Sequence, residues 1–320
     1  MKTEAKTHPQ TGKPVPHENA TKRRVLALFA EFFCLRTNDA ARLLRDRAIT
    51  ESDARSVRRT LSILHRDGFL YRAPYLDARH ERGGVTYAYG LSAKGVDHAL
   101  QNGYSALATK TLDEHSLRTL DHELEITSFH IALRELCAAQ GLRYAWRQTD
   151  LKHTVHPDAV FNVADPAHPD KAFCYFLEIE RAKLGNYRNG EPQIFRKLKK
   201  FYEYFNSTGC ENEWGFRQFR VLVVQRTEAR REGLLKVLRK KCNHRMFWLT
   251  TEAAYREDIG GAIFMTPKDD APVAFSFLIR PSPPPYDSTN RSKERDYPSR
   301  VPPSPGVDPP VDGGRDAGTP

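Results

Sequence analysis

The chain has 320 residues, of which 39% are hydrophobic and 28% charged, and a formal net charge of +10. That length suits two ordered domains with tails. No apolar run is long enough to span a bilayer, so no membrane segment is expected.

The N-terminus has no apolar stretch of the signal-peptide kind. The five cysteines, Cys34, Cys137, Cys174, Cys210 and Cys242, are scattered with no CxxC pair. Neither a zinc site nor a disulfide framework is indicated, and a cytoplasmic, reducing setting is expected. Eleven of the 21 prolines lie from Pro281 onward, where five Lys/Arg face six acids. The basic surplus therefore belongs to the first 280 residues and points to a polyanionic partner, most simply nucleic acid.

Residues 1–20 are polar and carry Pro9, Pro14 and Pro16, so disorder is expected there. From Lys22, Val25, Leu26, Leu28, Phe29, Phe32 and Phe33 give a helical apolar face. Thr37 is the expected N-cap of a second helix over Asn38–Arg47. Thr50 caps a third, with Asp53 completing an imperfect capping box. Its apolar positions are Ala54, Val57, Leu61 and Leu64, and it ends at Gly68. Arg55, Arg58, Arg59 and Arg66 occupy the remainder of its surface. Phe69–Arg72 and Val85–Tyr89 read as a β-hairpin whose basic tip holds Arg79 and Arg82. Three helices and a β-ribbon, over residues 21–100, are the layout of a winged helix-turn-helix. Its third helix enters the major groove while the wing contacts phosphate. Those six arginines are the DNA-binding candidates.

Residues 101–118 read as a linker to a second domain over 119–280. A helix is expected from Asp121 to Gln140. Strands follow at Arg143–Asp150, Val155–Val163 and Phe173–Arg181. A basic helix over Pro192–Phe205, a strand at Phe219–Gln225, a helix at Glu228–Cys242, a strand at Met246–Leu249 and a short helix from Thr251 complete the order. Phe275–Ile279 is a candidate edge strand. This describes one mixed α/β (α+β) sheet with helices on its faces. Residues 281–320 are expected to be a disordered Pro-rich tail.

The stretch 154–183 carries the chemistry. Pro157-Asp158 opens one strand, and Phe-Leu-Glu-Ile-Glu-Arg places Glu178 and Glu180 on one face of the next. Acids beside an apolar sheet interior call for a positive partner. Mg²⁺ or Mn²⁺, held by Asp158, Glu178 and Glu180, is the simplest one. Lys197 on the following helix is the candidate cation for the charge that develops in phosphodiester cleavage. His122 is the candidate base or extra ligand, with Glu123 and Glu125 as further possibilities on the same helix. Tyr175, Tyr187, Tyr202 and Tyr204 are near enough in sequence to be considered as nucleophiles, with water as the default.

With its Pro157-Asp158 and Glu178-x-Glu180 pattern, the second domain resembles the PD-(D/E)xK nuclease fold, with Glu180 standing where that pattern has lysine. Together with the N-terminal helices and the Asp121-His122-Glu123-Leu124 helix start, the chain resembles the replication-relaxation family over roughly 22–260. That family includes MobC-type plasmid relaxases. The resemblance implies binding of double-stranded origin DNA and metal-dependent nicking of one strand in plasmid mobilisation or conjugation. It also implies an accessory mobilisation or coupling protein as partner. A non-catalytic DNA-binding regulator with a vestigial nuclease fold and a protein-interaction module are the competing readings.

Overall fold

The computed structural model describes residues 20–44, 50–76, 85–104, 111–112, 119–147, 153–181, 187–188 and 191–275. Both expected tails, the hairpin tip with Arg79 and Arg82, and most of the 101–118 linker lie outside the described residues, as does the candidate edge strand past Phe275.

The first half is helix-rich. It runs α1 (Ala20–Glu31), β1 (Leu35–Arg36), α2 (Thr37–Leu43), α3 (Glu51–Arg66), β2 (Leu70–Leu76), β3 (Val85–Leu91) and α4 (Ala93–Gln101). Val25, Leu26 and Phe29 of α1 share a buried cluster with Val57, Leu61 and Leu64 of α3. The α3 start is firmer than expected. Asp53 N–H donates to Thr50 Oγ1 at 3.2 Å and Thr50 N–H to Asp53 Oδ2 at 3.1 Å, so the capping box is complete with Asp in the place of Glu.

Thr37 is not an N-cap. It is the first helical residue of α2, and Arg36 occupies the cap position without a side-chain cap bond. The reason is a strand the periodicity did not show. Leu35 and Arg36 pair antiparallel with Tyr89 and Ala88 of β3, so the chain leaves the sheet directly into the helix. The resulting sheet has the order β1-β3-β2. Gly95 lets α4 pack against this ribbon, because a Cβ there would lie 2.1 Å from the Phe69 carbonyl oxygen.

The second half runs α5 (Leu120–Ala139), β4 (Arg143–Arg147), β5 (Ala159–Asp165), β6 (His168–Glu180), β7 (Tyr187–Arg188), β8 (Glu191–Pro192), α6 (Gln193–Phe205), α7 (Gly209–Trp214), β9 (Arg220–Gln225), α8 (Glu228–Lys241), β10 (Phe247–Thr251) and α9 (Glu252–Asp258). The main sheet has the order β10-β9-β6-β5-β4. Strands β6, β9 and β10 are parallel, and β5 and β4 run antiparallel to their neighbours.

Two strands differ from expectation. β5 begins only at Ala159, because Pro157 has no N–H to give a ladder. β6 is longer, reaching back to His168 through a tight hairpin with β5. The short helix α7 was not expected, since six residues are too few to show a period.

Period-two alternation divides the sheet. Phe176, Val221 and Val223 pack with Leu198 and Phe201 of α6 and Leu234 and Leu238 of α8. Leu177, Ile179, Leu222 and Val224 pack on the other face with Phe129 and Leu133 of α5 and Tyr255 of α9. Helix α5 also joins the halves. Its Ile131 enters the first-half core, and Leu120 and Leu124 cluster with Cys34, Ala73 and Ala88. Arg36 donates to Ser128 Oγ at 2.9 Å, and Arg134 pairs with Glu31 at 3.1 Å. Among the described residues no helix is long and apolar enough to cross a membrane.

Candidate functional site

Glu178 is the anomaly of the sheet. It lies on the α6–α8 face of the central strand β6, only 2% exposed, between Leu177 and Ile179. Lys197, on the inward turn of α6, brings Nζ to 2.7 Å from Glu178 Oε2 and 3.6 Å from Asp158 Oδ1. Asp158 sits one residue ahead of β5 and continues its ladder, its N–H donating to the Leu177 carbonyl at 2.9 Å. Its Oδ2 accepts from Ile179 N–H at 2.7 Å. His122, in the first turn of α5, reaches over the strand end. Its Nε2 lies 3.1 Å from both Asp158 Oδ2 and the Ile179 carbonyl. Both neighbours are acceptors, so Nε2 carries the proton. Four residues separated by up to 75 positions thus meet at the C-terminal edge of β6.

The two carboxylates are driven apart electrostatically. Burial, then the Asp158 charge, pushes the Glu178 carboxyl well above the usual range, with Lys197 pulling only part of the way back. Burial would raise Asp158 too, but the His122 hydrogen bond and the Lys197 charge outweigh it and hold Asp158 low. Burial opposes the charge on Lys197 and His122 as well. Glu178 and Asp158 overcome this at Lys197, and the Asp158 bond overcomes it at His122, so both are raised. Asp158 is therefore the fixed anion, and Glu178 is the carboxyl that exchanges a proton nearest neutral pH. Acids whose environments separate them in this way divide acid and base roles between them.

Glu180, one pleat beyond Glu178 on the same face, is half-buried and its charge bears on Glu178. Among the described residues no group of three or more His, Cys, Asp or Glu stands where it could hold a metal ion. The donor set instead fits the two-carboxylate pattern common for Mg²⁺, whose other ligands come from water and substrate phosphate. Glu178 Oε1 is buried and has no hydrogen-bond partner among the described residues. With Asp158 it supplies hard oxygen on the side away from the Lys197 contact.

Glu125, a candidate ligand by sequence, is committed elsewhere. Its fully buried carboxylate accepts from Arg181 Nη1 at 3.1 Å and also from Tyr255 and Arg256. Glu252 joins through Arg181 at 3.6 Å and Arg256 at 3.5 Å. This network clamps the start of α5 to the end of β6 one turn from His122. An acid in the apolar run Leu124–Ile131 was the only sequence signal for it, and its partners on β6 and α9 could not be read from spacing.

The other candidates separate by location. Arg55, Arg58, Arg59 and Arg66 are all exposed on α3. Arg196, Lys199 and Lys200 are exposed on α6. Of the tyrosines, Tyr175 and Tyr204 are buried in the cores, and Tyr202 packs its ring near His244.

The family model described as Replication-relaxation matches residues 26–217. A solved structure, a cysteine-to-serine mutant of MarR from E. coli, overlaps 39% of this chain and 78% of its own at 17% identity. Its TM-score of 0.22 carries no argument. No curated protein matches the chain.

Proposed function

The chain belongs to the replication-relaxation family, and from that membership we propose a protein that binds plasmid origin DNA and cleaves one strand at the Asp158–Glu178–Lys197–His122 cluster. The observation carrying this reading is the convergence of two carboxylates of divergent acidity on one ammonium, at 2.7 and 3.6 Å, beneath a chain of +10 net charge. The first half, with its three helices and antiparallel ribbon, is read as a winged helix-turn-helix that delivers the DNA, and the sheet half as a PD-(D/E)xK-like nuclease domain. Double-stranded origin DNA is the partner, and an accessory mobilisation or coupling protein fits the same role.

Each residue has a task. Lys197 takes the position that the usual motif lysine would fill from the strand, and meets the charge growing on the phosphoryl oxygens. Glu178 accepts the proton of the attacking water. Asp158 orients both Lys197 and the protonated Nε2 of His122, which can donate toward the leaving oxygen. Mg²⁺ or Mn²⁺ held by Asp158 and Glu178 would polarise the phosphoryl group and acidify water.

One observation favours a second reading, a DNA-binding regulator that does not cut. Lys197 and His122 already compensate both acids, leaving the cluster near neutrality without an ion. Supercoiled plasmid carrying the cognate origin, incubated with Mg²⁺ or Mn²⁺, decides. Open circles are expected from the parent and not from Asp158→Ala or Glu178→Ala. Nicking by those variants at the parent rate removes the site assignment. DNA binding with no nicking by the parent makes the regulator reading the correct one.

A further inference from the structure

A cavity of about 230 Å³ opens beside the cluster, where the two halves of the molecule meet. Its walls come from the end of α1, one face of α5, β4 and the loop before β5, and include His122 and Asp158. Among its other lining residues are Glu31, Phe32, Glu123, Thr127, His130 and Trp146.

His130 sets its character. The ring is 3% exposed, stacks on Trp146 at 4.0 Å and lies 4.6 Å from Phe32. Its buried Nε2 has no hydrogen-bond partner among the described residues. A buried imidazole nitrogen without a partner is costly, and a ligand that bonds it recovers that cost. Burial, then the Arg134 charge, pulls its acidity down to about 3, so the ring is uncharged at neutral pH and can accept or donate.

Three properties define the occupant. The volume lies below the roughly 300–1,000 Å³ of pockets for drug-sized ligands, so it suits one planar ring system. The walls are rich in acceptors, with Glu31, Glu123 and the imidazole, so the ligand must bring N–H donors. Carboxylates repel phosphate, so an anionic group is excluded. Asp158 is shared by both sides: Oδ1 faces Lys197, and Oδ2 faces His122 at the cavity wall.

Resting on the DNA-cleaving reading above, we infer that this cavity receives one unstacked DNA base bearing an exocyclic amine, next to the phosphate held on the Lys197 side. Proteins that act on extruded nucleotides read them through hydrogen bonds to the base edge inside such a pocket. Lodging the base fixes which phosphodiester lies over Glu178, so the cavity sets the cleavage position.

The test uses the full chain and origin-strand oligonucleotides, each carrying a single 2-aminopurine, with a terminal fluorophore reporting binding by anisotropy. The parent is expected to bind and to raise emission at one position only. His130→Phe keeps the ring stack and removes Nε2, and Ile126→Trp fills the cavity from a half-buried wall position. Both are expected to keep their anisotropy response and to lose the emission rise. For His130→Phe the preference for an amine-bearing base over thymine falls about tenfold, the loss expected for one hydrogen bond to a buried group. Anisotropy without a position-specific emission rise overturns the inference and leaves the DNA-binding reading standing. An equal rise in parent, His130→Phe and Ile126→Trp also overturns it. Absence of any anisotropy change removes the function reading and this inference together.

Discussion

Helices α3 and α6 carry cations at similar density and use them in opposite ways. On α3, Arg55, Arg58, Arg59 and Arg66 all point to solvent around a stripe of Val57, Leu61 and Leu64. On α6, Leu198 and Phe201 form a like stripe, but Lys197 at its edge reaches two acids. A solvated charge attracts a polyanion at long range and is screened by salt. A charge beside buried carboxylates sets their acidity. Position relative to the sheet, and not residue type, decides which of the two a basic helix supplies.

The comparison can be broken most sharply at Lys197. Lys197→Met is expected to slow strand cleavage by about 10²–10⁴-fold, the range for a group acting on the reacting atoms. Gel-shift affinity should stay close to that of the parent. Comparable losses in both assays would mean that Lys197 is only another surface cation.

Next in size is the clamp. Glu125→Ala leaves Arg181 and Arg256 facing each other without their shared anion. Breaking a buried pair in this way costs about 3–5 kcal/mol, read as a fall in the urea midpoint with an unchanged slope. A loss below about 1 kcal/mol would place the network with ordinary surface pairs.

The α3 arginines predict a different signature. Each one replaced by alanine should flatten the slope of log affinity against log salt by about 0.9, whatever the DNA sequence, if it contacts phosphate. Cleavage per bound complex should not change. A salt slope identical to the parent's would reassign that face.

The smallest expected effect concerns pH. The folded-state acidity of Glu178 is shifted upward. Its contribution to stability is therefore fully present below the unfolded value near pH ~4.3 and is lost as pH rises through the folded one. Glu178→Gln has no such loss, so its melting temperature relative to the parent should climb from pH 4 to pH 8. The gain accompanies lost cleavage, because the buried acid is kept at a cost in stability. A constant difference across that range would show that Glu178 does not titrate there.

Much of this arrangement is legible in local patterns. The α3 stripe, the Thr50–Asp53 box and the alternation Leu177-Glu178-Ile179-Glu180 each depend on periods of 3.6 or 2 within a few residues. The site residues Asp158, Glu178, Lys197 and His122 are legible as chemistry out of place: acids beside apolar runs, and a lysine on the helix that follows. What fails locally is what depends on a distant partner. β1 is two residues long and exists because β3 pairs with it. The beginning of β5 is set by Pro157 and by the Leu177 carbonyl that binds Asp158. Glu125 looks like Glu123 in sequence, and only Arg181 and Arg256 distinguish them.

The sequence by itself determined the helix-and-ribbon first half, the mixed sheet that follows, the family and the identity of the reactive side chains, because each is encoded in short-range period and residue type. The tertiary structure alone decided which charges meet. Lys197 joins Asp158 and Glu178, Glu180 stands one pleat further along, and His122 reaches Asp158 from the opposite side of the sheet. Those distances follow from how α5 and α6 cross the end of β6. Burial at that crossing, which no single segment encodes, separates the acidities of two otherwise similar carboxylates.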